Sequence, residues 1–493
     1  MRNHGVGSWT ARRARRTPHR LAVIHDGVRI TYAELHDRTA RLAHHLRHLG
    51  VRPGDRVAFL GPNHPSFLET FFAAGQLGAV FVPLNTRLAE PELRFCLADS
   101  GASVLVHTPD FEHFARSCTV PRPVAVGSGL DKDLAACTPV SPDVPVTHAD
   151  TAIIMYTSGT TGRPKGAVLS HGNLIWNSLN TLVDGEFADG DVTLLSAPLF
   201  HTAALNMTCL PTLLKGGTLV LEETFSPART LDLVERLLVT VMFGVPTMFQ
   251  QISAQPRFAD ADLSSLRILL CGGAPVPQAL IRTYQQRGLG FIQGYGMTET
   301  SPGVCLLDAE HALDKPGSAG LPHFFSDIRI VGHDGDASRG ELLVEGPNVM
   351  SGYWNLPEET AAAFDDGWFR SGDVAHVDED GYVTIVDRTK DMIISGGENI
   401  YPAEIENVLY EHPAVGDCAV IGVRDEKWGE VPRAVVVLAP GAVASAEDIL
   451  ASLDGRLARY KIPKSLVFTD ALPRSGAGKL LKPHIRDNFG TPS

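Results

Sequence analysis

From about residue 21 to residue 238, short β-branched and apolar runs alternate with stretches of helical periodicity. The runs are Val57-Ala58-Phe59-Leu60, Val80-Phe81-Val82-Pro83-Leu84, Val104-Leu105-Val106, Ala152-Ile153-Ile154-Met155 and Thr218-Leu219-Val220-Leu221, with a helical segment near residues 65–77 between the first two. Parallel strands need a crossover connection, usually a helix, so the pattern predicts βαβ units and largely parallel sheets. Thr31-Tyr32-Ala33-Glu34 has capping-box spacing and predicts a helix reaching about residue 49. After about residue 328 short strands separated by Gly and Asp turns, such as Gly340-Glu341-Leu342-Leu343-Val344, predict a small β-rich subdomain. A charged stretch at 387–391 lies between strand-like segments at 382–386 and 392–394. The last hundred or so residues predict a small α+β unit with helices near 403–411 and 446–457.

Composition narrows the function classes. A chain of 493 residues suggests roughly three structural units and a core that needs no disulfide or metal staple. A formal net charge of −13 argues against a general nucleic-acid or anionic-membrane binder. The seven cysteines form no CxxC pair, which disfavours a disulfide scaffold or a Cys-type zinc site and fits a reducing cytoplasm. The basic run Arg12-Arg13-Ala14-Arg15-Arg16 is followed by no apolar leader core, so it reads as a solvated helix face. No window approaches the roughly 18 uninterrupted apolar residues of a bilayer span, and a soluble protein is expected.

The most informative segment is Tyr156-Thr157-Ser158-Gly159-Thr160-Thr161-Gly162-Arg163-Pro164-Lys165-Gly166, placed after an apolar run and so in a loop leaving a strand. Phosphate oxygens need short-range donors and a backbone free of Cβ clashes, and hydroxyls, glycines and a lysine supply both. It is not a Walker A loop: the lysine does not follow a glycine directly, and no Ser or Thr succeeds it. Further blocks follow: Phe200-His201; Gly272-Gly273-Ala274-Pro275; Gln293-Gly294-Tyr295-Gly296-Met297-Thr298-Glu299-Thr300; Trp368-Phe369-Arg370-Ser371-Gly372-Asp373; residues 387–402; and residues 473–479.

In this order the blocks resemble the acyl-adenylate-forming superfamily of acyl-CoA synthetases, adenylation domains and firefly-type luciferases, over essentially the whole chain. The resemblance implies a fold of two α/β subdomains plus a β-barrel-like one over 1–387, a hinge at 388–391, and a small mobile α+β lid domain at 392–493. It implies ATP, Mg²⁺ and coenzyme A as cofactors and a small-molecule carboxylic acid as substrate, with no nucleic acid and no membrane span.

The same resemblance assigns roles. Thr157, Ser158, Gly159, Thr160, Thr161 and Lys165 would bind the nucleotide phosphates, Thr298 the α-phosphate, and Glu299 the Mg²⁺. Tyr295 would lie against adenine, with Gly272, Gly273, Ala274, Gly294, Gly296 and Met297 lining the nucleotide site, while Asp373 and Arg388 would take the ribose. Lys479 would bridge carboxylate and phosphate during adenylation, although Ser475 and Ala477 stand where the commoner form of its loop has Thr. Lys390 would be the hinge residue. Ser395, Gly396, Gly397 and Glu398 would line the pantetheine passage, and His201 would sit near the carboxylate and the thiol entrance.

Ala203, Ala204, Asn206, Val245, Thr247, Met248 and Gly303 would line the acyl pocket. They are apolar, small or uncharged, with no Lys or Arg to pair a second carboxylate, so a mostly apolar monocarboxylic acid is expected, either a medium or long fatty acid or a bulky cyclic or aromatic one. No acidic residue follows Phe200-His201 closely to meet a substrate ammonium, which disfavours amino acids. The leading expectation is an AMP-forming carboxylate–CoA ligase. Loading of a carrier-protein pantetheine and silent adenylate binding are the alternatives. A serine hydrolase is disfavoured because no GxSxG occurs.

Overall fold

The apolar runs become strands in the computed structural model, which describes residues 2–157, 163–273, 276–315, 317–332, 339–388, 393–473 and 482–490. The chain divides into two compact units. One contains the residues up to Thr86, Leu97–Tyr156 and Gly166–Val386; the other contains Arg87–Cys96, Thr157–Lys165 and the chain from Asp387 onward.

In the first unit a seven-stranded sheet has the order Gly352–Tyr353, Lys165–Ser170, Thr151–Thr157, Val80–Pro83, Arg56–Leu60, Val104–His107 and Arg122–Ala125. Its strands pair in parallel from Thr151–Thr157 onward. The crossover helix Pro65–Leu77 is buried along its whole length. Its sequence is apolar nearly all round, as a helix covered on every side requires. The expected capping box is present: Thr31 accepts from the Glu34 amide, Glu34 reaches back to Thr31, and the helix runs Tyr32–His48.

A second, 14-stranded sheet completes the unit. Its parallel part runs Leu21–His25, Thr218–Leu221, Val192–Leu195, Val241–Gly244, Ile268–Gly272 and Phe291–Gly296. Beyond Phe291–Gly296 the pairing turns antiparallel through Gly303–Leu307 and Ser318–Pro322. The sheet then continues into Val383–Arg388, Trp368–Val377, Arg339–Glu345 and Asp327–Val331. This is the expected β-rich part, with its own core of Val304, Cys305, Leu342, Val344, Ala375 and Val383.

Two expectations need correcting. The basic run does lie on a helix, Trp9–Arg16, but Arg13 is not on a solvated face: its guanidinium turns inward and donates to the Leu214 carbonyl. The helix expected over 446–457 ends at Ala451, because Ser452, Asp454 and Gly455 form turns there, with Gly455 at φ 72°. All seven cysteines are free, and among the described residues no helix is long and apolar enough to cross a membrane.

The second unit is built on the long antiparallel pair Val415–Asp425 and Gly429–Leu438, with Ser465–Phe468 added in parallel and Ile393–Ser395 and Glu398–Ile400 at one edge. Gly396 and Gly397 join the last two strands with successive φ of 58° and 85°. Two positive φ values suit a tight hairpin turn matched to strand twist, which side chains resist. Helix Pro402–Tyr410 closes over a core of Ile393, Ile400, Ile405 and Leu409.

Buried in this unit is an ionic trio. Lys461 donates to Glu92 at 2.5 Å and to Glu404 at 2.7 Å, and all three side chains are nearly inaccessible. Burial lowers the affinity of Lys461 for its proton, but the two carboxylates outweigh it and raise its pKa. Burial, opposed by Lys461 and reinforced by Glu92, pushes Glu404 up to about 7. A carboxyl whose pKa rises on folding favours the folded state while protonated and loses that advantage as pH rises through its folded value. Replacing Glu404 by Gln should therefore change little near pH 5 but raise stability relative to the native chain near pH 8, by on the order of 2 kcal/mol. Denaturant unfolding at the two pH values tests this, and an equal effect at both would refute it.

Candidate active site

Parallel α/β sheets take ligands at the carboxyl ends of their strands, where connecting loops open away from the sheet. The adjacent parallel strands Val241–Gly244, Ile268–Gly272 and Phe291–Gly296 end at one such edge. Gly272 is in register with Gly294, and the position of a Cβ on Gly273 would lie 3.7 Å from Val245 Cγ1. Segments expected to hold adenine thus adjoin one expected to line the acyl pocket. Thr247 and Met248 follow on helix Pro246–Ser253.

Tyr295 lies at the end of its strand, and its hydroxyl donates to Asp373 Oδ2 at 2.7 Å. Asp373 comes from Trp368–Val377, where its amide donates to Ser371 Oγ at 3.1 Å while that hydroxyl donates to the Leu342 carbonyl. Burial of the Tyr295 hydroxyl, and then the charge of Asp373, raise the phenol well above its ordinary pKa, so it stays protonated as the donor. A flat ring joined to an oriented carboxylate offers a base a stacking face and vicinal hydroxyls an acceptor.

Beyond Gly296 the chain makes the tight turn Thr298–Thr300. Thr300 Oγ1 donates to the Pro302 carbonyl at 2.6 Å, and the Met297 amide donates to the same oxygen at 3.1 Å. Gly296 approaches that carbonyl so closely that a Cβ would stand 1.7 Å from it. The turn holds Thr298 and half-buried Glu299. Glu299 Oε1 accepts from the Tyr353 hydroxyl at 2.8 Å, and its backbone carbonyl accepts from the Met350 amide. Tyr353 pairs in register with Ala167, on the strand that follows the glycine-rich phosphate segment. Tyr353 therefore ties two of the sequence blocks together, and sequence reasoning passed over it.

A second omission is the helix His171–Asp184. Asn173, Asn177, Asn180 and Thr181 recur at helical spacing and are buried, although a buried helix face is ordinarily apolar. Thr181 donates to the Asn177 carbonyl of its own helix, whereas the asparagines reach the backbones of the site loops. Asn173 Nδ2 donates to the Pro347 and Val349 carbonyls at 2.8 and 2.7 Å. Asn177 Oδ1 accepts from the Gly303 amide, and Asn180 Oδ1 from the Phe325 amide. Asn348 adds donation to the Thr300 and Gly303 carbonyls. Asn at helical spacing was the available signal.

Ala203, Ala204 and Asn206 lie on a π-helical segment, Ala203–Cys209, a rare geometry often found where function needs it. His201 precedes it, its ring 4.8 Å from that of Phe200. Thr157 ends the strand before the phosphate segment, and Lys165 begins the next. Ser158, Gly159, Thr160, Thr161, Ala274, Lys390 and Lys479 lie outside the described residues, and Arg388 ends the strand Val383–Arg388. Ser395, Gly396, Gly397 and Glu398 belong to the second unit, where Glu398 is buried and paired with Arg87.

The chain matches the AMP-binding enzyme family over residues 10–354 and the AMP-binding enzyme C-terminal domain over residues 404–479. It is 58% identical to a feruloyl-CoA synthase from Amycolatopsis sp, over 99% of this chain and 100% of that one. It is 43% identical to an indoleacetate–CoA ligase from Aromatoleum aromaticum, over 98% and 97%. Among solved structures, o-succinylbenzoate CoA synthetase from Bacillus subtilis, as a double mutant with a bound product analogue, superposes with a TM-score of 0.88 at 35% identity, covering 97% of this chain and 98% of that one. The chain belongs to the AMP-binding enzyme family, as an acyl-CoA synthetase type of adenylate-forming enzyme.

The close approach at Gly296 makes a sharp test. Gly296→Ala should cost at least about 2 kcal/mol of stability, or displace the Thr298–Thr300 turn and abolish activity in a folded protein. Thermal unfolding together with an adenylation assay checks this, and a variant unchanged in both would contradict it.

Proposed function

We propose that this chain uses ATP to activate an aromatic monocarboxylic acid and transfers the acyl group to coenzyme A. In the first displacement a carboxylate oxygen attacks the α-phosphorus of ATP, and pyrophosphate leaves. In the second, the CoA thiolate attacks the acyl carbon, a thioester forms, and AMP leaves. The observation that carries this reading is the full-length match to feruloyl-CoA synthase. The indoleacetate–CoA ligase supports the aromatic class, as do the uncharged residues proposed for the pocket.

Tyr295 and the Gly272-Gly273 edge would hold adenine, and Asp373 the ribose hydroxyls. Thr157, Lys165 and Thr298 would hold phosphate, while Lys479 would join the phosphate to the substrate carboxylate. His201 would face that carboxylate, Arg388 would add to the ribose site, and Lys390 would act as hinge between the two half-reactions. Glu299 suits Mg²⁺. Its carboxylate, oriented by Tyr353, would supply a hard oxygen ligand of the kind Mg²⁺ takes. When bound, Mg²⁺ supplies charge neutralisation for the phosphates. The free cysteines support work in a reducing cytoplasm.

Incubation with ATP, Mg²⁺, CoA and a panel of hydroxycinnamic, indoleacetic, fatty and dicarboxylic acids, read by product mass, should give aryl-acyl-CoA most efficiently. Preference for a fatty acid or a diacid would overturn the substrate class. Lys479→Ala should cut adenylation by about 100-fold or more, the scale of a lost transition-state charge contact, while sparing thioester formation from supplied acyl-adenylate. Equal loss in both half-reactions would refute that division.

A further inference from the structure

The buried polar stripe of helix His171–Asp184 ends in Asp184, which does something its asparagines do not. Asp184 Oδ2 accepts from His323 Nδ1 at 2.5 Å; the histidine side chain is 0% exposed and the aspartate 22%. The Phe324 amide also approaches that carboxylate oxygen, and the His323 amide donates to the Val304 carbonyl. A carboxylate on Nδ1 takes the Nδ1 proton, so in the neutral ring the lone pair lies on Nε2. Nε2 is buried and, among the described residues, has no hydrogen-bond partner. Leaving such an acceptor unsatisfied costs about 1–3 kcal/mol, a cost a fold carries where something else completes the bond.

The direction in which Nε2 points identifies what that is. It faces Gly303, where an added Cβ would lie 2.7 Å from it and 3.2 Å from Asn177 Oδ1. Asn177 bridges this spot to the π-helical segment: its Nδ2 donates to the Asn206 carbonyl at 2.9 Å while its Oδ1 takes the Gly303 amide. Asn206 donates to Thr202 through Nδ2, and its own Oδ1 is a second buried acceptor without a partner among the described residues. One orphaned nitrogen, His323 Nε2, therefore abuts Gly303, and Asn177 joins Gly303 to Asn206, the residue that carries the other orphaned atom; Gly303 and Asn206 are both proposed to line the acyl pocket. Acceptors call for a donor, and an aromatic acid can present one as a ring hydroxyl.

We propose that His323, held by Asp184, accepts a hydrogen bond from a ring hydroxyl of the acid and sets a preference for phenolic over unsubstituted aromatic substrates. This rests on the aromatic-acid reading above. A pocket built to bond a hydroxyl penalises the analogue lacking it, because the buried partner is then left unpaired.

The test compares 4-hydroxycinnamate with cinnamate in the native enzyme and in His323→Leu, His323→Gln and Asp184→Asn. In His323→Leu, kcat/KM for the hydroxylated acid should fall about 10- to 100-fold, mainly through KM, while cinnamate changes less than about threefold. His323→Gln, which keeps an acceptor, should recover part of the preference. Equal losses for both acids would reveal a merely structural role and overturn the proposal, as would no loss for either. If His323→Leu does not fold, Asp184→Asn decides: a several-fold weaker preference supports the proposal and an unchanged one overturns it. Native enzyme that converts both acids equally well overturns this inference alone. Native enzyme that converts neither overturns the aromatic-acid reading beneath it.

Discussion

An irregular backbone in a protein interior must find hydrogen bonds that no helix or sheet supplies, and the site of this enzyme depends on how that demand is met. The segments near 300–304, 323–326 and 347–349 pass through the interior of the first unit beside helix His171–Asp184. Asparagine carboxamides on that helix carry a donor and an acceptor each, so one side chain can serve two peptide groups that face different ways. Asn177 does this, receiving the Gly303 amide and donating to the Asn206 carbonyl. An apolar stripe would have buried the helix equally well but left those peptide groups unsatisfied, at about 1–3 kcal/mol each. The polar face therefore does more than stabilise: it holds the backbone at Gly303, Phe325, Pro347 and Val349, and Asn348 between the last two in turn holds the Thr300 carbonyl.

This explains which features were legible in the sequence. Parallel strands and their crossover helices follow from periodicity, and Pro65–Leu77 is found where the pattern places it because little but burial governs that segment. The site loops were legible as ordered blocks, since glycine, threonine and glutamate stand there for reasons of close approach and charge. The side chains that hold those loops were not. Asparagine's commonest uses are turns and caps, so a run of buried asparagines on one helix gives no periodic apolar signal. Tyr353 lies in a two-residue strand, Gly352–Tyr353, too short to stand out. Glu92 and Lys461 are 369 residues apart, and nothing local marks either as buried.

The trio in the second unit obeys the same demand with full charges. One ammonium shared by two carboxylates leaves a surplus negative charge in a dry place, and burial pushes that surplus toward protonation at Glu404. Apolar replacement of such clusters is often neutral or stabilising, so their worth lies in geometry more than in energy. Here Glu92 Oε2 accepts the Ala458 amide while its other oxygen takes Lys461, fixing the segment Arg87–Cys96 to the turn near 458–461.

Three carboxylates of the first unit show how one device serves different ends. In each, an aromatic donor holds one oxygen: Tyr295 on Asp373, Tyr353 on Glu299 and His323 on Asp184. With a phenol as donor, the tie uses the donor's only proton. With an imidazole, the tie consumes the Nδ1 proton and leaves the ring's second nitrogen as the group with capacity to spare. Only in the third case, therefore, does the donor keep a second polar atom. That difference makes His323 Nε2, and not the Asp184 carboxylate, the polar atom turned toward Gly303.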